Sequence, residues 1–169
     1  LPHSSVYLTK ATTEDLPLIS ELANIIWQQH YVEIIGAEQV EYMLGKMYAI
    51  SSLKDQMEKQ HHVFYLIKNE DKTIGFISVS GSEKTKSYFI NKFYILQDTA
   101  AKGIGSDVFN KIIKLLDAEE LKLTCNRKNY KSINFYFKNG FRIERVADFD
   151  IGNGFVMNDF VFVWKKTKA

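Results

Sequence analysis

The segment Ile90–Asp107, INKFYILQDTAAKGIGSD, constrains the fold more than any other stretch of this chain. Phe93-Tyr94-Ile95-Leu96 reads as a strand. After a short polar turn comes Lys102-Gly103-Ile104-Gly105. Val108-Phe109, Ile112-Ile113 and Leu115-Leu116 then recur at helical spacing. A chain that runs from a strand through a glycine loop into a helix builds an anion site. The first backbone N–H groups of the helix have no internal partner, and they lie at the positive end of its dipole. Glycine leaves no Cβ in the path of a phosphate approaching that backbone. A tight strand-to-helix turn with no ligand is the other reading of the same residues.

Two familiar phosphate loops fail on spacing. A P-loop requires Lys-Ser/Thr after its last glycine, whereas Gly105 is followed by Ser106-Asp107. A dinucleotide fingerprint requires Gly or Ala three residues beyond Gly105, and that position is Val108.

A second segment, Asn129 to Phe141 (NYKSINFYFKNGF), decides between the readings. Lys102-Gly103-Ile104-Gly105, taken with Asn129, Phe135-Tyr136 and Gly140-Phe141, resembles the GNAT superfamily of N-acetyltransferases. That family carries Gln/Arg-x-x-Gly-x-Gly/Ala followed by Asn-x-x-Ala-x-x-Phe-Tyr-x-x-x-Gly-Phe, and Ser132 stands here in the usual Ala position. The resemblance covers Ile90 to Phe141, and the flanks are compatible with it. Within the superfamily, the lengths of the first helices, Phe93-Tyr94-Ile95 and the hairpin Phe149-Asp150-Ile151-Gly152…Met157-Asn158-Asp159 are similar to the Pai-type polyamine (spermidine/spermine) acetyltransferases.

The resemblance implies an acetyl group moved from acetyl-CoA, as cosubstrate, to a small-molecule amine acceptor, a small amine or a polyamine. An acetyltransferase of protein N-termini or lysines, or a non-catalytic acetyl-CoA-binding module, are the alternatives. It also implies that the pantetheine arm pairs with the backbone of Phe93, Tyr94 and Ile95. The pyrophosphate would then rest on the N–H groups of Ala101, Lys102, Gly103, Ile104, Gly105 and Ser106. Asn129 and Lys138 are further cofactor-contact candidates, with a helix cap and a solvated lysine as their plain readings. Tyr136 stands where the family keeps its general acid. A phenol with an ordinary pKa of about 10 is protonated at neutral pH and can donate to a thiolate. Its plain reading is an aromatic packed beside Phe135 and Phe141.

The chain departs from the family pattern twice. The usual Gln/Arg of the loop is Ala100, which removes one polar contact to the diphosphate, and Lys102 could supply compensating charge. The glutamate that many members place three residues before the tyrosine of strand four is Asn91, which takes no proton at neutral pH. Asn91 can still orient a water, because its amide both donates and accepts. Glu33, Asp148, Asp150 and His30 are conceivable bases, though no motif places them.

Composition narrows the remaining classes. The 169 residues suffice for one domain with a full core, and the expectation is a single N-acetyltransferase domain over 1–169. The net charge of +2 does not indicate a nucleic-acid surface. Residues 1–86 carry 8 Lys/Arg against 11 Asp/Glu, and residues 87–169 carry 14 against 9. An anionic cofactor in the basic half and a cationic substrate against the acidic half would fit that asymmetry. The single cysteine, Cys125, excludes an internal disulfide and a cysteine-rich metal site, and a cytoplasmic location follows as the expectation. No metal is expected, since the histidines and carboxylates lack ligand spacing. No apolar run approaches a membrane span, and no secretory pattern opens the chain. A start at Leu1 rather than Met points to processing or truncation. A homodimer is left open.

The expected fold is α/β (α+β), the GNAT acyl-CoA N-acyltransferase fold, with a mixed, mostly antiparallel sheet of about seven strands flanked by helices. Strands are read at Val6–Lys10, His62–Lys68, Thr73–Ser80, Ser87–Leu96, Leu121–Cys125, Phe141–Ile151 and Phe155–Lys165. Helices are read after Thr12 or Thr13, with Leu18, Leu22, Ile25 and Ile26 as the apolar face, and at Ala37–Ala49, Ser51–Lys59, Gly103–Ala118 and Asn129–Asn139. Gly81–Lys86 and Gly152-Asn153-Gly154 are read as turns.

Overall fold

The computed structural model describes residues 6–96 and 103–167. Ala101 and Lys102, two of the expected loop contacts, lie outside the described residues. Seven strands form one mixed sheet: β1 (Val6–Lys10), β2 (Val63–Asn69), β3 (Lys72–Ser82), β4 (Ser87–Ile95), β5 (Glu120–Asn126), β6 (Arg142–Gly152) and β7 (Phe155–Lys165), in the order β1-β2-β3-β4-β5-β7-β6. β4 runs parallel to β5, while β1–β2, β2–β3, β5–β7 and β6–β7 are antiparallel. The helices are α1 (Leu16–His30), α2 (Val32–Ile35), α3 (Ala37–Met47), α4 (Ile50–Glu58), α5 (Ile104–Leu116) and α6 (Tyr130–Lys138). This mixed seven-stranded sheet flanked by helices is the architecture expected from the sequence. Among the described residues no helix is long and apolar enough to cross a membrane, and no group of three His, Cys, Asp or Glu could hold a metal ion.

The chain divides into two compact units. The first comprises Leu1–Ser80 with Asn91–Lys111, and the second comprises Gly81–Ile90 with Ile112–Ala169.

In the first unit a short 3-10 turn, Thr13–Asp15, leads into α1. Thr12 begins it with a capping box: its hydroxyl accepts from the Glu14 N–H, and the Asp15 carboxylate accepts from the Thr12 N–H at 2.9 Å. Pro17 sits in the first turn of α1, where the missing N–H would have had no partner. The buried stripe of α1 is Leu16, Ile19, Leu22, Ala23, Ile26 and Trp27, which corrects the face expected from the sequence. Leu18 and Ile25 are exposed instead. The helix enters at Leu16 on the core side, and a 3.6-residue period from there carries Ile19, Ala23, Ile26 and Trp27 inward. Val40, Met43 and Leu44 of α3 and Leu53 of α4 bury with them. α1 continues to His30, and a short helix, α2, follows it directly after Tyr31. On β3, Gly75 is forced, because a Cβ there would strike the Tyr94 carbonyl.

In the second unit β3 continues through Gly81 to Ser82, so the expected turn is shorter than the sequence suggested. Gly81 has φ +151°, and a Cβ would meet the Tyr88 ring at 2.8 Å. The β4–β5 ladder pairs Ser87, Tyr88 and Phe89 with Glu120, Leu121 and Lys122. β6 and β7 form a long hairpin closed at Asn153, and Gly140, at φ +88°, ends α6 as the sequence implied.

Candidate functional site

The site begins on β4. Successive side chains of a strand alternate between faces, so Asn91 and Phe93 point one way and Lys92 and Tyr94 the other. The Asn91 amide is held by two serines of β3. Its nitrogen lies 3.2 Å from Ser80 Oγ and 3.5 Å from Ser78 Oγ, and its oxygen accepts from Ser80 Oγ at 3.3 Å. The position where the family pattern has an acid is therefore a fixed, neutral hydrogen-bonding group. Phe93 packs on Phe109 of α5, with ring centroids 4.8 Å apart.

On the opposite face Tyr94 joins an aromatic cluster. It lies 5.9 Å from Trp27, 6.1 Å from Tyr31, 6.2 Å from Tyr48 and 5.7 Å from Phe76. Trp27 stacks on Tyr31 at 4.4 Å. Burial pushes the Tyr48 phenol above its ordinary range, a rise opposed by its hydrogen bond with Tyr94. The Trp27 indole N–H is buried in this cluster beside the Tyr48 hydroxyl. Next to the cluster is Lys92, 3% exposed. Its Nζ stands 5.2 Å from the Tyr48 ring centroid and 5.9 Å from that of Phe64. Desolvation lowers its pKa from 10.5 to about 8. His62, at the start of β2, is pushed down first by its own burial and then by the Lys92 charge.

The glycine loop ends in α5. Gly103 adopts φ +91°, a conformation that side chains with a Cβ rarely take, and a Cβ built there finds nothing within 4 Å. The Asp107 N–H makes the first helical bond, 2.9 Å to the Gly103 carbonyl. The N–H groups of Ile104, Gly105 and Ser106 are thus in the first turn, where an α-helix leaves donors without internal partners. This backbone fits a diphosphate on two counts: an open approach at Gly103 and donors at a helix start.

A groove of about 620 Å³ runs along α1 and α3, lined among others by Ser20, Asn24, Gln28, Glu41 and Tyr48. Gly45 contributes to its wall, and a Cβ there would also project into open space. Its lining sets one carboxylate, Glu41, and the polar Ser20, Asn24 and Gln28 beside the apolar Ala37, Leu44 and Ala49.

In the second unit the expected residues lie on α6. Asn129 caps the helix, its side-chain oxygen accepting from the Ser132 N–H at 3.3 Å, which bears out the plain reading of that residue. Lys138 is exposed in the last turn. Tyr136 is 9% exposed and packs against Phe135, Phe141 and Phe162 at 5.4–5.7 Å. Two of the conceivable bases have other work. Asp148 pairs with Arg127 at 2.9 Å, and Asp150 accepts from the Gly152 N–H at 2.8 Å in the hairpin turn. Glu33 is exposed, and His30 packs edge-on against Tyr31 in the first unit.

Asp159 of β7 was not among the sequence candidates. It is 4% exposed, and its Oδ1 has no hydrogen-bond partner. Burial raises its pKa to about 6, against the opposing pull of a Thr124 hydrogen bond and the Arg127 charge. Arg127 does not reach the carboxylate; it donates to the main-chain carbonyls of Asp159 and Ala147. Cys125 is buried beside it, its thiol pushed up to about 12 by desolvation and then by Asp159, which leaves it inert as a nucleophile. Lys92 was equally overlooked, although it interrupts the otherwise aromatic and apolar alternation Tyr88, Ile90, Tyr94 of its face.

Residues 19–141 match the Acetyltransferase (GNAT) family. The chain belongs to that family and is an acetyltransferase of the GNAT type. Among its relatives is the spermidine N(1)-acetyltransferase of Thermoplasma acidophilum, 28% identical over 160 residues that make up 90% of this chain and 96% of that protein. An α-tubulin N-acetyltransferase of Plasmodium falciparum is 24% identical, covering 78% of this chain and 77% of that one. Among solved structures, PaiA N-acetyltransferase from Thermoplasma acidophilum in complex with coenzyme A shares the fold, with a TM-score of 0.77 at 23% identity over 95% of this chain and 99% of that one.

Proposed function

We propose that this enzyme transfers the acetyl group of acetyl-CoA to a small primary amine or polyamine, by direct attack within a ternary complex, and that residues 1–169 act as one catalytic domain. The observation that carries the reading is the open, positive-φ Gly103 at the start of α5, in the motif position of the family's pyrophosphate loop. Backbone donors at Ile104, Gly105 and Ser106 would hold the diphosphate. The β4 backbone at Phe93, Tyr94 and Ile95 would hold the pantetheine arm, with Asn129 and Lys138 as outer contacts.

In the reaction the amine nitrogen attacks the acetyl carbon. The N–C bond forms, the C–S bond breaks and the amine gives up a proton. The Asn91 amide, fixed by Ser78 and Ser80, orients the water that takes this proton outward. Tyr136 supplies a proton to the departing thiolate. The α1–α3 groove, with Glu41 and the Asn24 and Gln28 amides, is the place we assign to the acceptor's positive charge. The spermidine acetyltransferase relative supports a polyamine. The α-tubulin acetyltransferase relative is the observation that favours a protein lysine as the second reading. Thiol release from acetyl-CoA across polyamines, monoamines and lysine peptides tests both. Turnover confined to peptides replaces the first reading with the second, and binding without any turnover rejects both.

A further inference from the structure

Gly45 lies within α3, and neither its backbone nor its packing explains it. Its φ is not in the left-handed region that favours glycine. A Cβ built on it meets nothing within 4 Å, so no neighbour excludes a side chain. A glycine in a helix costs stability relative to almost any other residue. What sets the position apart is that it lines the groove between α1 and α3.

Ala37, Glu41 and Gly45 recur every four residues, so they form one row along the α3 side of that groove. Glu41 therefore has a methyl group on one side of it and a hydrogen on the other. A helix glutamate ordinarily pairs with a lysine four residues on, and here that position is the glycine. Among the described residues no basic side chain pairs with Glu41. On the α1 side, the Asn24 amide nitrogen donates to the Ser20 carbonyl at 2.9 Å, which leaves the amide oxygen as an acceptor. Tyr48, another lining residue, hydrogen-bonds Tyr94, so a single side chain connects the groove with β4.

We infer that Gly45 is a specificity-determining residue: the side chain it lacks keeps the groove open for an acceptor that carries a second ammonium, and Glu41 holds that second charge. The inference rests on the proposed function and narrows its acceptor to a linear diamine or polyamine. The chemistry calls for two nitrogens. The one that attacks must be neutral, since its lone pair forms the new N–C bond. A carboxylate beside that nitrogen would favour its protonated, unreactive form. An unpaired glutamate in the acceptor groove therefore serves the reaction by holding a different, distal nitrogen, which stays protonated throughout. The alkyl chain between the two nitrogens fits the apolar Ala37, Leu44 and Ala49 of the same lining. A side chain at position 45 would project into the space this chain needs.

The test compares α,ω-diamines of increasing length with the monoamines of the same carbon chain, using the full chain and its Glu41→Gln, Gly45→Ala and Gly45→Leu variants. For the best length, wild-type kcat/KM should favour the diamine over its monoamine by about tenfold, the scale of one hydrogen bond to a charged group. Glu41→Gln should bring that ratio close to one by raising the KM of the diamine. Gly45→Leu should raise KM for diamine and monoamine alike by about tenfold, with a smaller change in kcat, and Gly45→Ala should do so only slightly. Alanine and leucine are better helix formers than glycine, so both replacements should also raise the melting temperature. A rise in KM is then not a folding defect. A Gly45→Leu protein of raised stability and unchanged KM overturns the role of Gly45. Turnover of amines with the same diamine-to-monoamine ratio in wild type and Glu41→Gln overturns the role of Glu41 and leaves the proposed function standing. If wild type acetylates no free amine, the proposed acceptor is rejected, and calorimetric titration with the same diamines decides the groove alone. Binding weakened by Glu41→Gln and Gly45→Leu upholds the site, and no binding overturns it.

Discussion

Lys92 in the first unit and Asp159 in the second are both almost withdrawn from water, at 3% and 4% exposure, yet their surroundings have little in common. Lys92 lies against aromatic faces and has no acid for company. Asp159 lies among polar groups: Thr124 bonds it, Arg127 is at hand, and Asp148 adds repulsion. Arg127 nevertheless spends its guanidinium on two carbonyls and Asp148, tying β6 to β7. Proximity of an opposite charge is thus not the same as pairing. Both residues shift toward their neutral forms because desolvation outweighs what is nearby. In the first unit the uncompensated charge sits on the strand at the centre of the proposed chemistry. In the second it sits beside an inert thiol in a hairpin.

The largest effect that would sharpen this contrast is in the second unit. Tyr136→Phe should keep acetyl-CoA binding and lower kcat by about 10²–10⁴-fold, the range of general acid catalysis. The ring's contacts with Phe135, Phe141 and Phe162 survive the change, so stability should be nearly unaltered. Wild-type kcat, with chemistry shown to be rate-limiting, would reduce Tyr136 to a packing residue. Next comes Gly103→Val in the first unit. The φ of +91° cannot hold a β-branched side chain without strain, and the new Cβ would stand in the open approach. Calorimetric titration should show acetyl-CoA affinity reduced about 100-fold or more while the far-ultraviolet dichroism is kept, a loss of roughly 3 kcal/mol. Unchanged affinity in a folded variant would remove the loop from the site.

The two buried charges themselves predict opposite pH slopes in stability. Folded Lys92 gives up its proton near 8, and an unfolded lysine near 10.5. Its cost is absent above 10.5 and complete below 8, so stability rises as pH climbs through that window. Folded Asp159 titrates near 6 against an ordinary 3.8. Its cost is absent below 3.8 and complete above 6, so stability falls as pH climbs through that range. At about 1.4 kcal/mol per pKa unit, each charge costs on the order of 3 kcal/mol between pH 6 and 8. Denaturant midpoints against pH should lose the alkaline slope in Lys92→Met and the acidic slope in Asp159→Asn. Asparagine still buries an amide, so its gain at neutral pH should be the smaller. A slope that persists in its variant assigns that slope to another group.

The sequence made the periodic and local features legible. The helix start after Thr12 or Thr13, the glycine at the start of α5 and the Asn129 cap are all set by residues within a few positions of one another. Leu18 and Ile25 misled because hydrophobicity marks which residues can be buried, whereas the entry point of α1 decides which are. Gly75 could not be read locally, since the carbonyl that forbids its Cβ belongs to Tyr94 on another strand. Asp159 and Lys92 were invisible for the same reason. A charged side chain in a strand is ordinarily turned to solvent, and only tertiary packing shows that these two are not. The family motifs located Tyr136 and the loop, but they said nothing of what replaces the missing glutamate.

That gap leads to the smallest expected effect. Asn91 is neutral and held by Ser78 and Ser80, so it can orient a water but cannot store a proton. If it acts this way, Asn91→Ala should lower kcat only several-fold, well below the loss for a true general base. Asn91→Glu should retain or raise activity by giving the proton a closer acceptor. Ser80→Ala, which frees one side of the amide, should produce a weaker version of the Asn91→Ala loss. The wild-type rate should climb with pH toward the acceptor amine's own pKa, since the enzyme has no dedicated base to dominate the profile. Initial rates from pH 6 to 9 on one amine, compared among these variants, separate the possibilities. A sharp ionisation near pH 6 that disappears in Asp159→Asn would instead make the buried carboxylate of the second unit the proton acceptor. It would also reverse the assignment that leaves Asp159 outside the chemistry.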